Sequence, residues 1–348
     1  MKRIVVKVGS SILAPKGKID SKFLDNFVKD ILRVEKKGIR VILVSSGAIA
    51  CGLNRLDMKR KPHDLTYLQA FASLGQIILM NIYAEKFSRY KKMCAQILLT
   101  WDDFNDRKRY INARNTINKL LELKVIPIIN ENDTVSSEEI RFGDNDRLSA
   151  LVSDLVEAEK LIILSDVNGL YSQKDLVPVV ENIDNKIIAL ARKEDSLFTT
   201  GGMITKLEAA KISTCSGIKT IIAHGRLKSV IWRILEGQCI GTVFLPQVDV
   251  QRARKRWIAF SKKIKGKIYI DRGAKEALVQ KGKSLLAVGI TRVLGDFTRG
   301  DCVEVLDEED NLVGCGLANY AATELEDLKS KKFSKEIIHR DNFVKKEI

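Results

Sequence analysis

Short apolar runs, unbroken by polar alternation and separated by helix-period stretches, constrain this 348-residue chain more than any other feature. Ile4 to Val8, Ile39 to Val44, Ala95 to Leu99, Val125 to Ile129, Leu161 to Leu164 and Thr220 to Ala223 are such runs. A strand made from one of them is buried on both faces. Between them, apolar residues recur at helical spacing: Phe23, Phe27, Ile31 and Val34, then Leu65 to Tyr90, Ala113 to Leu123, Asn145 to Ala158, Ile204 to Ser216 and Leu227 to Leu235. Strand and helix in alternation build a mainly parallel sheet with helices on both sides. The predicted fold class is therefore α/β, a three-layer α/β/α sandwich.

The pattern stops after Pro246. The rest of the chain has short β-like pieces (Lys267 to Ile270, Val288 to Ile290, Cys302 to Leu306, Leu312 to Leu317) punctuated by Gly, Asp and Lys, with one short helix over Gly273 to Gly282. This predicts a catalytic-sized domain over 1–248, a basic connector over 249–264 and a small, mostly β domain over 265–348. Arg252 to Lys267 holds eight basic residues and no acid. Nucleic acid is one explanation for that stretch, and a solvated linker face is the other.

Composition excludes several classes. A hydrophobic share of 45% supports a real core and argues against disorder. No unbroken apolar run approaches the ~20 residues of a membrane span. The basic-then-apolar start, Met1 to Val6, is interrupted by Lys7 and is too short for a signal peptide. Cys51, Cys94, Cys215, Cys239, Cys302 and Cys315 form no C-x-x-C pair, and His63, His224 and His339 lie far apart. Neither set has zinc spacing, so no metal ligands are assigned; free thiols and a cytoplasmic setting are expected. The net charge of +15 is spread along the chain.

Chemistry-bearing residues gather at strand ends. Lys7-Val8-Gly9-Ser10-Ser11 closes the first strand and Ser45-Ser46-Gly47-Ala48 the second, and Thr200-Gly201-Gly202-Met203 opens a late helix. Small residues at such turns let backbone N–H groups approach phosphate oxygens. Lys7 and Lys206 are placed to neutralise a transferring phosphate. Two acid-and-amide runs, Ile129-Asn130-Glu131-Asn132-Asp133 and Phe142-Gly143-Asp144-Asn145-Asp146, follow one strand and precede one helix. Taken singly, each of these features is equally an ordinary turn, cap or surface charge. Neither G-x-x-x-x-G-K-[ST] nor a G-x-G-x-x-G after the first strand is present; Gly282-Lys283-Ser284 has Ala277 where the first glycine would stand.

Taken together and in order, these segments, with Ser165-Asp166 and Thr200-Gly201-Gly202-Met203-Ile204-Thr205-Lys206, resemble the amino-acid kinase family. Gly282, Ser284-Leu285-Leu286, Gly289-Ile290, Phe297-Thr298-Arg299-Gly300 and His339-Arg340-Asp341 resemble a PUA domain appended to it. The resemblance spans essentially the whole chain. It implies transfer of the ATP γ-phosphoryl group to the side-chain carboxylate of L-glutamate, the first step of proline biosynthesis. It gives Lys7, Lys206 and Asp146 the catalytic positions, the two lysines stabilising phosphate and the acid orienting them. Ser46, Asp133 and Asn145 match glutamate-binding positions. Lys7, Ser165, Asp166 and the run Thr200, Gly201, Gly202, Met203, Ile204, Thr205 and Lys206 match nucleotide-binding positions. ATP and Mg²⁺ are implied as cofactors, a homo-oligomer (dimer or tetramer) as the assembly, and proline as a feedback inhibitor.

Two departures stand out. Thr199 occupies a position that is usually glycine in the family, and Ser172-Gln173-Lys174-Asp175 is a shortened segment without the usual Asp-Pro pair. Two alternatives remain at this point. A sibling kinase would act on N-acetylglutamate or aspartate. An RNA-binding role would run through the PUA-like end, although that region is mildly basic and lacks an aromatic RNP pattern.

Overall fold

The computed structural model describes residues 2–58, 62, 64–135, 144–194, 202–247, 264–329 and 336–345. The chain divides into two compact units, Met1–Gln247 and Val248–Ile348.

The first unit opens with β1 (Arg3–Val8), the one-turn α1 (Ser10–Leu13), α2 (Ser21–Glu35), β2 (Arg40–Ser45), α3 (Ala48–Arg55) and α4 (Leu65–Ser88). Then come β3 (Cys94–Leu99), α5 (Trp101–Asn105), α6 (Arg107–Glu122), β4 (Ile126–Glu131), α7 (Asp144–Leu155) and β5 (Lys160–Ser165). The unit closes with β6 (Tyr171–Ser172), β7 (Asp175–Leu176), β8 (Val179–Val180), α8 (Asn185–Glu194), α9 (Met203–Cys215), β9 (Lys219–His224), α10 (Val230–Leu235) and β10 (Thr242–Phe244). Eight strands form one sheet in the order β3-β4-β2-β1-β5-β9-β10-β8. All its neighbours pair parallel except β9 and β10. Sheet and helices make the α/β/α sandwich expected from the alternation.

Strand alternation sorts the two faces. Ile4, Val6 and Val8 join Leu43, Ile162 and Leu164 in a core with Phe27 and Ile31 of α2, Leu79 and Tyr83 of α4, and Ile231 of α10. Val5 and Lys7 therefore face the other way, where α7 lies against β1, β2, β4 and β5, and α9 against β9. α4 is long and apolar enough to cross a membrane by length and composition. Here one face of it, with Leu68, Phe71, Ala72, Leu79, Tyr83 and Phe87, is buried against the rest of the unit.

Two glycines let α3 and α4 touch. A Cβ on Gly75 would lie 1.8 Å from the Ala48 carbonyl oxygen, and one on Gly52 would lie 2.0 Å from that of Phe71. Only glycine allows this backbone approach.

The structure differs locally from the periodicity. β4 runs on through Asn130 and Glu131, which the apolar run alone left outside the strand; both are buried. α10 starts at Val230 rather than Leu227, because Ser229 has φ +52° and Asp30 of α2 accepts the N–H groups of Ile231 and Trp232 at 2.8 and 3.3 Å. The shortened segment after Gly169 and Leu170 is a tight hairpin, β6 against β7, with Gln173 at φ +60°.

In the second unit a five-stranded sheet comprises β11 (Ile264–Ile270), β13 (Ile290–Gly295), β14 (Cys302–Leu306), β15 (Leu312–Leu317) and β17 (Phe343–Lys345), ordered β13-β11-β14-β15-β17. A separate pair joins β12 (Leu285–Leu286) to β16 (Glu336–Ile338). Helices Arg272–Val279 and Ala322–Lys329 cover a core that includes Ile268, Phe297, Val303, Val305, Val313 and Ile338. The expected connector lies outside the described residues apart from Ile264.

Candidate active site

The carboxyl ends of four adjacent parallel strands, β4, β2, β1 and β5, carry Glu131, Ser45, Val8 and Ser165 side by side. Sequence neighbours at those ends are Asn130, Ser46, Lys7 and Asp166. This is the edge at which open α/β sheets bind ligands.

Lys7 is the first piece. Its place between Val6 and Val8 turns it onto the α7 face, where it meets Asp146 in the first turn of α7. The Lys7 Nζ forms an ion pair with Asp146 Oδ1. Lys206 Nζ lies 3.4 Å from Asp146 Oδ2, and the Thr205 hydroxyl donates to that same oxygen at 3.0 Å. Lys7 and Lys206 are each 6% exposed and Asp146 is 1% exposed. With all three ionised, two buried ammoniums face one buried carboxylate, a surplus of one positive charge. Burying charge in surplus is costly and is poor evidence of a stabilising device. Lys206 also stands in the first turn of α9, the helix end that disfavours a cation.

The protonation equilibria follow from this geometry. Burial draws the Lys7 ammonium below its ordinary 10.5, and Lys206 adds to that, while the Asp146 carboxylate pulls the other way. Burial alone would raise Asp146, but the charges of Lys7 and Lys206 and the bonds from Lys7 and Thr205 hold it below its ordinary 3.8. Asp146 is thus an ionised clamp on two lysines and a poor proton acceptor.

Beside it runs an amide network. Asn145 Nδ2 donates to Ser46 Oγ at 3.1 Å and to Asn130 Oδ1 at 3.0 Å. The Glu131 backbone N–H donates to Asn130 Oδ1 at 3.0 Å and to Asn145 Oδ1 at 3.3 Å. Asn130 Nδ2 donates to Gln76 Oε1 of α4 at 2.8 Å. Ser46 is presented by the turn into α3, where Gly47 takes φ +103°, a conformation that favours glycine. Asp133 is half-buried in the turn after β4, and the neighbouring Thr134 hydroxyl lies 2.9 Å from Ser73 of α4. Asn145 and Asp146 are consecutive, so one helix start joins the amide network to the lysine cluster.

On the other side of β1, Ser165 is buried and donates to exposed Asp166 at 3.0 Å. The charge of Asp166 also reaches Lys7. Gly202 caps α9 with no side-chain hydrogen bond, its carbonyl accepting from Thr205 at 3.0 Å and from Lys206 at 3.5 Å. Met203 is buried and Ile204 half-buried on the same helix start. Thr200, Gly201, Gly143 and the atypical Thr199 lie outside the described residues. The structure therefore brings Lys7, Ser46, Asn145, Asp146, Ser165, Asp166 and Gly202 to Lys206 to one sheet edge.

The residues fit a polyphosphate. The two ammoniums exceed their one carboxylate partner by a positive charge, and Gly9 lies against the Lys7 ammonium, a Cβ there falling 3.7 Å from Nζ at ordinary contact distance. Among the described residues no three His, Cys, Asp or Glu side chains are grouped to hold an ion.

Comparison with known proteins decides the family. Residues 2–224 match the amino acid kinase family and residues 266–340 the PUA domain. The chain belongs to the amino acid kinase family. Among its relatives, the glutamate 5-kinase of Caldanaerobacter subterraneus subsp. tengcongensis is 45% identical, covering 98% of this chain and 97% of that protein. The glutamate 5-kinase of Methylococcus capsulatus is 44% identical, covering 99% and 97%. A solved carbamate kinase from Giardia lamblia bound to AMP-PNP superposes with a TM-score of 0.49 at 20% identity, over 71% of this chain and 99% of that one.

Sequence reasoning missed two side chains of this amino acid kinase site. Asn130 lies inside an acid-and-amide motif that the sequence places at a strand's end, but it was given no individual role there. Gln76 had no sequence signal: it sits 54 residues from its partner Asn130, on a helix whose apolar character hides a polar position.

Proposed function

We propose that this amino acid kinase transfers the γ-phosphoryl group of ATP to the side-chain carboxylate of L-glutamate, giving glutamyl 5-phosphate for proline biosynthesis. The observation that carries the reading is the joint start of α7, where Asn145 faces Ser46 and Asp146 faces both lysines. End-to-end similarity to proteins named glutamate 5-kinase supports the choice of acceptor.

In this reading Ser46, Asn145 and Asp133 hold glutamate, while Lys7, Ser165, Asp166 and the 200–206 segment hold the nucleotide. A glutamate carboxylate, with a reference pKa of about 4.3, is already ionised at neutral pH, so the reaction needs no general base. The obstacle is repulsion between the anionic acceptor and the anionic donor. Lys7 and Lys206 answer it with preorganised positive charge in a desolvated site, fixed in place by Asp146. Mg²⁺ gives up its hydration reluctantly and belongs with the nucleotide phosphates, where it neutralises further charge.

The accompanying expectations are a homo-oligomer, proline as feedback inhibitor and a cytoplasmic address. A PUA-borne RNA role has less support, because the C-terminal region is only mildly basic and carries no aromatic RNP pattern.

Purified protein incubated with glutamate, ATP-Mg²⁺ and hydroxylamine is expected to accumulate the γ-hydroxamate. ATP turnover with no hydroxamate from glutamate would refute the reading.

A further inference from the structure

Gln76 is 8% exposed, and its Nε2 has no hydrogen-bond partner among the described residues. A buried amide with one unmet end is kept at a cost, so its other end invites an explanation. That end, Oε1, accepts from Asn130 Nδ2 at 2.8 Å. We propose that Gln76 is a positioning residue for the acceptor: through Asn130 and Asn145 it sets the direction in which the Ser46 hydroxyl donates. The inference rests on the glutamate kinase reading.

Each primary amide has one end that accepts and one that donates. Gln76 Oε1 takes the Asn130 amino group while the fixed Glu131 N–H takes Asn130 Oδ1, so both ends of that amide are committed and Oδ1 faces Asn145 Nδ2. Asn145 thereby spends one N–H on Asn130 and turns the other onto Ser46 Oγ. Ser46, already accepting, has its own O–H left to give away from the amide cluster. The group it meets must be an acceptor, as a carboxylate oxygen is and an ammonium is not. Reversing Asn130 would set its amino group against the Asn145 amino group and the Glu131 N–H, three donors together.

Position is fixed independently of polarity. Gln76 follows Gly75, the point at which α4 touches the Ala48 carbonyl of α3. The same contact holds the helix that Ser46 and Gly47 lead into. One packing contact therefore sets both ends of the relay.

The test compares Gln76→Met, which keeps length but removes the acceptor, with Gln76→Glu, which keeps an acceptor for Asn130. KM values for glutamate and ATP, kcat and thermal midpoints are measured for each. Gln76→Met should raise the glutamate KM about tenfold, as expected for loss of one orienting buried hydrogen bond, with the ATP KM within about twofold. Gln76→Glu should stay closer to wild type, and remains informative if the Met variant fails to fold. In a Ser46→Ala background Gln76→Met should add less than about threefold, since the coupled pair shares one effect. An unchanged glutamate KM in Gln76→Met, equal rises in Met and Glu, parallel rises for glutamate and ATP, or additivity with Ser46→Ala each overturns the role. A wild type inert toward glutamate overturns the proposed function instead. The same KM split, read on whichever acceptor it does use, then decides Gln76 separately.

Discussion

Lys7 and Lys206 sit where a fold built for stability alone would put apolar residues, one in a central strand and one at a helix start. Their shared partner Asp146 fixes them without cancelling them. Lys206→Ala should therefore lower kcat by about 10²–10³-fold, the range for removing one preorganised charge from a transition state. Asn145→Ala should instead raise the glutamate KM and leave the ATP KM nearly unchanged; steady-state kinetics with both substrates separates the two outcomes. The pH dependence follows from Lys7. Burial, aided by Lys206, draws its pKa below 10.5, so this charge is lost earlier on the alkaline side than an exposed lysine would lose it. The profile of kcat/KM for ATP should turn down below pH 10.5, and an Asp146→Asn variant, lacking the group that raises Lys7, should turn down lower still. An unshifted alkaline limb in that variant would contradict the clamp. At this scale the sequence was legible where residues sit in short ordered motifs, as with Lys7, Ser46, Asn145, Asp146 and Lys206. It was not legible for Gln76, because hydrogen-bond direction between a helix and a distant strand leaves no periodic trace.

Elements place those residues. The central strands were legible because burial on both faces enforces apolar runs, whereas β3, at the sheet edge, is only partly buried; the carboxyl ends fell close to where the runs stop. β4 was the exception: hydrogen bonding lets Asn130 and Glu131 be buried in a strand that hydrophobicity alone would end at Ile129. The contact between α3 and α4 was equally hidden, since a glycine in a helical stretch reads as a weak position until its neighbour is known. Gly75→Ala puts a methyl into the Ala48 carbonyl. It should cost about 1–3 kcal/mol, the usual penalty for overpacking, and raise the glutamate KM by moving the Ser46 turn. Thermal melts together with glutamate kinetics check this, and a wild-type melting point would show that the helices are free to separate.

The whole molecule consists of two units of different construction, one a parallel sandwich and the other a small β unit. The pattern changes after Pro246 because the small unit's strands are short and interrupted by turns. Its stability has its own pH dependence. Asp307, at the turn between β14 and β15, accepts from Lys275 Nζ at 2.7 Å and from the N–H groups of Asn311 and Glu309 at 2.8 and 3.1 Å. The bond from Lys275 leads these contacts in holding its pKa at about 2 against an ordinary 3.8. Because the folded value is the lower one, the stabilisation is complete above 3.8 and is lost as pH falls toward about 2. Melts of the full chain across that window should show the β unit weakening, and Asp307→Asn should flatten that part of the dependence.

In the proposed function one sheet edge joins a glutamate-binding amide network to a phosphate-binding lysine pair. The most direct measurement of it is kcat/KM for acyl phosphate formation with glutamate, N-acetylglutamate and aspartate at saturating ATP-Mg²⁺. Glutamate should exceed both others by at least about 10²-fold, as expected for a site whose polar groups are left unpaired by the wrong acceptor. A preference for N-acetylglutamate or aspartate, or no turnover of glutamate, would contradict it.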